Sequence, residues 1–187
     1  MKYLIAGLGN IGAEYDNTRH NIGFDVADAL VKELKGETTV EKQAVVARVK
    51  HRGRVLIIIK PTTYMNLSGK AIKYWLEKEK VSTDKLLVIL DDIALPIGTL
   101  RMKAKGGDAG HNGLTDIIEK IGTNAFPRLR IGVGNNFARG RQADYVLGRW
   151  NKSEEKLMSE RIDIATEMVK SFVSIGIERT MTNFNNK

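Results

Sequence analysis

The chain has 187 residues, 42% of them hydrophobic and 28% charged, which suits one globular domain over 1–187 with a single large core. Without cysteine, disulfides and thiolate metal sites are excluded, and no run of about 18 apolar residues offers a membrane span. A net charge of +8 favours a polyanionic partner, nucleic acid first, and between Ile97 and Arg149 nine Lys/Arg stand against four Asp/Glu.

Met1-Lys2-Tyr3 leads directly into a strand pattern with no leader-like segment, so the expected location is the cytoplasm. Lys2 to Ala6 reads as a strand buried on both faces, because its apolar run does not alternate. A polar turn follows. A helix is expected from about Arg19 to Lys35, with Ile22, Val26, Ala29, Leu30 and Leu34 as its stripe and Gly36 as its stop. Thr39 to His51 alternates loosely and reads as one strand. Through His51-Arg52-Gly53 it turns into the apolar run Val55 to Ile59, making a hairpin. Pro61 ends regular structure, and a helix over about Leu67 to Lys80 turns Ala71, Ile72, Trp75 and Leu76 inward.

Leu86 to Leu90 is another buried strand, and it delivers Asp91 and Asp92 at its end. After a turn at Leu95 to Gly98, Thr99 to Ala104 alternates, with Arg101, Lys103 and Lys105 on one face. The glycine-rich stretch Gly106 to Gly113 precedes a short helix bearing Leu114, Ile117, Ile118 and Ile121. Arg128 to Val133 is the last strand, and 135–141 a polar loop. Ser153 is the expected N-cap of a long final helix with Leu157, Ile164, Ala165, Met168 and Phe172 as its stripe, ending near Gly176. The polar tail from Glu178 on carries no assigned element. Alternating strands and helices imply an α/β fold, a twisted mixed, mostly parallel sheet with helices on both faces; the hairpin argues against an all-parallel one.

Three loops at strand ends, 7–21, 60–69 and 91–113, hold the chemically interesting side chains. Gly7-Leu8-Gly9-Asn10-Ile11-Gly12 matches G-x-G-x-x-G, yet the apolar helix stripe begins about ten residues too late for a dinucleotide site. The other reading is hydrolytic. His20 is the residue here with an unperturbed pKa near neutrality, roughly 6.5. If the loops converge, Asn10, His20, Asn66, Asp91 and Asn112 form one constellation: an imidazole, a carboxylate to orient it, and neutral amides. There is no nucleophilic cysteine and no G-x-S-x-G elbow, and the three histidines lack metal-binding spacing. Such a set suits general-base activation of water against an ester. The base supplies roughly 10²–10⁴-fold and each amide donor at the oxyanion about 2.7–4 kcal/mol.

Gly-Leu-Gly-Asn, then Tyr15 and Thr18-Arg19-His20-Asn21-Ile22-Gly23-Phe24, resembles the N-terminal motif of bacterial peptidyl-tRNA hydrolases. Lys60-Pro61-Thr62-Thr63-Tyr64-Met65-Asn66-Leu67-Ser68-Gly69-Lys70, Asp91-Asp92 with Leu95-Pro96, Gly110-His111-Asn112-Gly113-Leu114 and Arg128-Leu129-Arg130-Ile131-Gly132-Val133-Gly134 extend the resemblance over nearly the whole chain. It implies a monomer without cofactor or metal that cleaves the ester between a peptide and the 3′ end of tRNA. It implies His20 as base, Asp91 as its orienting group and Asn10 as a support. Tyr15, Tyr64, Met65, Asn66, His111 and Asn112 would meet the peptide and tRNA end, and Lys103, Lys105, Arg128 and Arg130 would grip phosphates, which position without reading sequence. Ile11 stands where the family usually has proline, Ala94 where an acid is common and Ala109 where glycine is usual, while Asp108 adds a charge beside the basic loop. A noncatalytic RNA-binding relative and a nucleotide-cofactor enzyme are the competing readings.

Overall fold

The computed structural model describes residues 1–186. One seven-stranded mixed sheet runs in the order β2-β3-β4-β1-β5-β7-β6. Its strands are β1 (Lys2–Gly7), β2 (Thr38–Glu41), β3 (Ala44–His51), β4 (Arg54–Pro61), β5 (Leu86–Asp92), β6 (Leu100–Lys103) and β7 (Arg128–Gly132). β4, β1, β5 and β7 are parallel, and antiparallel strands flank them: β3 with β2 on one side, β6 on the other. The expected mixed, mostly parallel α/β sheet is therefore found. The expected strand 39–51 is broken at Lys42-Gln43, where Gln43 takes φ 62 and starts a tight reversal into a second hairpin.

Helices cover both faces. α1 (Ile22–Glu33), α5 (Lys152–Ile175) and α6 (Ile177–Phe184) lie on one, and α2 (Ser68–Glu79) and α3 (Asn112–Ile121) on the other. β1 shows how one strand serves both layers. Ile5 packs with Val26, Leu30 and Phe172, while Leu4 and Ala6 pack with Ile72 and Trp75, all buried. A one-residue slip would exchange these layers, so burial of about 1.5–3 kcal/mol per large side chain fixes the register.

The first helix begins at Ile22, three residues later than expected, and the last two helices also differ from expectation. Asn151, not Ser153, caps α5: its Oδ1 accepts from the Glu154 N–H (2.9 Å) while Glu154 Oε1 accepts from the Asn151 N–H (3.0 Å). The reciprocal pair satisfies two donors, which Ser153 cannot do from inside the first turn. The tail folds as α6 and closes the sheet edge. Met102 N–H donates to Asn185 Oδ1 (2.8 Å), and Asn185 Nδ2 donates to Met102 O (2.9 Å). The outer side of β6 is thereby denied to another strand. No helix among the described residues is long and apolar enough to cross a membrane.

Candidate active site

All four parallel strands end on the same side, and their following loops enclose an open pocket of about 850 Å³. Asn10, Tyr15, His20, Tyr64, Met65, Asn66, Asp91, His111 and Asn112 line it, as do Lys103, Arg128 and Arg130. The three loops thus converge. The glycines at the end of β1 serve packing. A Cβ on Gly7 would lie 2.1 Å from Gly23 O, and one on Gly9 would lie 2.7 Å from the Phe24 ring. They let α1 press against the strand end, and Gly12 opens only a short 3₁₀ turn at Ala13–Tyr15. A pyrophosphate would need a helix N-terminus there, and α1 begins ten residues on.

His20 sits in a second 3₁₀ turn, Arg19–Asn21. Its Nδ1 is 2.8 Å from Asp91 Oδ2 and 3.0 Å from Oδ1. His111 Nε2 is 2.8 Å from Asp91 Oδ1, so the carboxylate serves two imidazoles. Burial raises the Asp91 pKa, but the imidazoles of His111 and His20 outweigh it and hold the carboxyl below the usual carboxylate range. The partners assign the tautomers. The Leu114 N–H donates to His111 Nδ1 (3.3 Å), so the His111 proton sits on Nε2, facing Asp91. Asp91 accepts from His20 Nδ1, which leaves Nε2 of the neutral ring with a lone pair on a side chain that lines the pocket. His111 is also the N-cap of α3, and Asn112 is its first helical residue.

The donor atoms of His20, Asp91 and His111 all lie within 4.8 Å of one another, so the fold gathers a possible metal-ligand group that sequence spacing did not suggest. Their observed contacts are those of hydrogen bonds. Donors around a tetrahedral ion at roughly 2.0–2.1 Å would stand about 3.3 Å apart.

Asn10 makes no hydrogen bond to His20 among the described residues. Its Oδ1 accepts from the Met65 N–H (2.7 Å), tying the first loop to the second. Asn21, which sequence reasoning did not place in the site, holds Asn10 from behind. The Asn10 N–H donates to Asn21 Oδ1 (2.8 Å), and Asn21 Nδ2 donates to Asn10 O (2.9 Å). Asn66 and Asn112 are exposed at the pocket and bond no other described side chain, so their amides face outward. Tyr64 takes φ 63 and ψ 158, a conformation costing about 1–3 kcal/mol in a non-glycine residue, and its ring meets Tyr15 edge-on at 6.4 Å. Ala109 is likewise left-handed, φ 50, and Asp108 steadies that loop by accepting from the Gly110 N–H (2.9 Å) and Thr115 Oγ1 (2.9 Å).

The four basic residues divide. Lys103 and Lys105 are exposed, although Lys105 does not line the pocket. Arg130 is engaged with Asp92, Nε to Oδ2 at 2.5 Å, with its side chain 18% exposed. Arg128 needs correction as a phosphate contact. It is 1% exposed, and its guanidinium N–H groups donate to the carbonyls of Gly106, Gly107, Asn124 and Phe126. Burial, with Arg130 adding to it, pushes its pKa down to about 10. Arg128 is a buried strut under the glycine-rich loop, and alternation along β7 could not distinguish it from Arg130. The pocket wall formed by Gln142, Ala143, Val146 and Leu147 was also missed, because α4 (Gln142–Val146) is too short to leave a periodic signal.

Known proteins agree with this architecture. Residues 4–187 match the family model described as peptidyl-tRNA hydrolase. A peptidyl-tRNA hydrolase of Parabacteroides distasonis is 54% identical over 187 residues, all of both chains, and that of Cytophaga hutchinsonii is 53% identical over the same span. A crystal structure of peptidyl-tRNA hydrolase from Acinetobacter baumannii superposes with a TM-score of 0.93 at 34% identity, covering 98% of this chain and 94% of that one.

Proposed function

The chain belongs to the peptidyl-tRNA hydrolase family, and from that premise we propose that water activated at Nε2 of His20 cleaves its substrate's ester. The reaction is hydrolysis of the bond between a peptide and the 3′ end of tRNA. The observation that carries the mechanism is the commitment of His20 Nδ1 to Asp91 at 2.8 Å, which leaves Nε2 as the free base. Water gives its proton to Nε2 as its oxygen attacks the ester carbonyl. The resulting imidazolium lies against the Asp91 carboxylate, then returns the proton to the departing 3′ oxygen. Base catalysis of this kind contributes roughly 10²–10⁴-fold.

The outward amides of Asn66 and Asn112 are placed to hold the peptide main chain and the developing oxyanion, each donor contributing about 2.7–4 kcal/mol. Main-chain contacts suit an enzyme that must accept any peptide. Asn10 acts one step back, fixing Met65 and hence Asn66. His111 holds the far side of Asp91, and Tyr15, Tyr64 and Met65 form the wall beside the ester. Lys103 and Lys105, with Arg130 shared between Asp92 and substrate, supply the positive rim for phosphates of the tRNA. This reading describes a monomer of the cytoplasm, one domain over 1–187, working without metal or cofactor.

The test is release of N-acetylated aminoacyl groups from tRNA, with chelator present, beside a His20→Ala control. Release should resist the chelator. The variant should lose at least about 100-fold in turnover while tRNA affinity stays near normal. An active His20→Ala enzyme would remove that residue from the base role, and chelator sensitivity would return the His20–Asp91–His111 group to consideration as a metal site.

A further inference from the structure

Arg19, next to the proposed base, sends its side chain away from the ester site and into the pocket's far wall. Its Nη1 donates to Tyr145 O (3.1 Å), and its Nη2 lies 3.4 Å from Glu154 Oε1. The guanidinium stacks 4.2 Å above the Tyr145 ring and 5.3 Å from that of Trp150. The backbone joins in: the Arg19 N–H donates to Gly148 O (3.0 Å), and Thr18 bridges to Arg149. The side chain is only 13% exposed, and its Nε is buried with no acceptor among the described residues. A stranded donor costs about 1–3 kcal/mol, so the wall contacts must hold the group in this pose against that cost.

Tyr145 carries the connection onward. Its hydroxyl donates to Val133 O (2.6 Å), and the Val133 N–H donates to Asp92 O (3.1 Å), one residue from Asp91. Arg19 therefore closes a ring of contacts from the turn bearing His20, through the wall, to the strand end bearing Asp91.

We propose that Arg19 is a positioning residue for the hydrolysis, fastening the 142–150 wall to the His20 turn so that base, carboxylate and wall keep one geometry. The proposal rests on the assignment of His20 as base. Lysine cannot replace it. A point charge on a flexible stem cannot stack on Tyr145 while also reaching Tyr145 O and Glu154.

The experiment measures kcat and KM on N-acetylaminoacyl-tRNA for Arg19→Ala, Arg19→Lys and Gly148→Ala, with His20→Ala alongside. A Cβ on Gly148 would lie 2.8 Å from Arg19 Nη1, so that variant pries at the clamp while keeping Arg19. Thermal melts monitor folding, and Trp150 emission reports the wall against the constant background of buried Trp75. Arg19→Ala and Gly148→Ala should lose about 10- to 100-fold in kcat, as a misplacement of up to about 1 Å does, with Trp150 emission moving to the red. Guanidinium ion added to Arg19→Ala should restore part of the turnover and of the emission, and Arg19→Lys should stay impaired. Wild-type kcat in Arg19→Ala and Gly148→Ala would overturn the proposal, as would a loss that follows the unfolded fraction and ignores guanidinium. If Arg19→Ala does not fold, Gly148→Ala decides. Residual full activity in His20→Ala would instead overturn the base assignment, whatever the Arg19 variants do.

Discussion

At one end of the pocket the side chains of His20, Asp91 and His111 are 14%, 2% and 8% exposed and direct their polar atoms at one another. At the other extreme Lys103, which lines the pocket, and Lys105, which does not, stand in solvent, paired with no carboxylate among the described residues. The buried end gains strength from a low effective dielectric and has little tolerance for rearrangement. The exposed end is screened by salt, and its contacts add roughly one by one. Substitutions at the first should therefore act on turnover in large steps, and those at the second on binding in small ones.

Asp91→Asn puts this most severely to the test. An asparagine cannot accept from both imidazoles without turning an N–H toward one of them, so His20 is pushed to the wrong tautomer. Turnover should fall by roughly 10²–10⁴-fold with tRNA affinity little changed. A variant that bound tRNA poorly but turned over normally would reverse the proposed division of labour.

Arg128 and Arg130, two residues apart on β7, bring the contrast onto a single strand. Arg128→Met leaves the carbonyls of Gly106, Gly107, Asn124 and Phe126 without their buried donor. Denaturant titration should show a loss of about 3–5 kcal/mol, and the salt dependence of tRNA binding should keep its slope. A flatter slope with unchanged stability would restore Arg128 as a phosphate contact. Lys103→Ala should do the converse, lowering the slope of log K against log salt by about one and leaving turnover at saturating substrate unchanged.

A second carboxylate offers the smallest effect and the finest comparison. Asp25 lies in α1 without an imidazole partner. Burial, then the charge of Asp28, raises its pKa to about 7 despite the opposing Lys60. Asp91 is more deeply buried and moves the other way, because two imidazoles face it. A folded-state pKa above the unfolded value means that the native state binds more protons in between. Asp25 should therefore lower stability as pH rises from about 4 to about 7. Asp25→Asn should raise the Tm more at alkaline pH than at acid pH. An equal shift at both would mean that Asp25 ionises normally.

The convergence of the three loops was legible in the sequence. Asp91 ends an apolar run, and the polar stretches that hold His20 and Asn66 follow two others, which is where parallel strands deliver their loops. Helix and strand placement failed mainly at the margins, as at Gln43, where a left-handed residue divides one apparent strand, and at Asn151, where a reciprocal cap outweighs a nearby serine. The tail looked formless because its helix contributes little to the core beyond Ile177, Met181 and Phe184, and its anchoring residue is a polar Asn185.

The amino-acid order by itself determined the α/β alternation, the three polar loops and the membership that their motifs imply, because burial and turn chemistry are written locally along the chain. Only the tertiary structure decided that Arg128 is a strut and Arg130 an ion pair, that His111 shares Asp91 with His20, and that Arg19 grips Tyr145. Each of those depends on partners brought in from elsewhere in the chain, in Arg19's case 126 residues away. Periodicity reports which face of an element is buried; it does not report which polar atom waits on the other side.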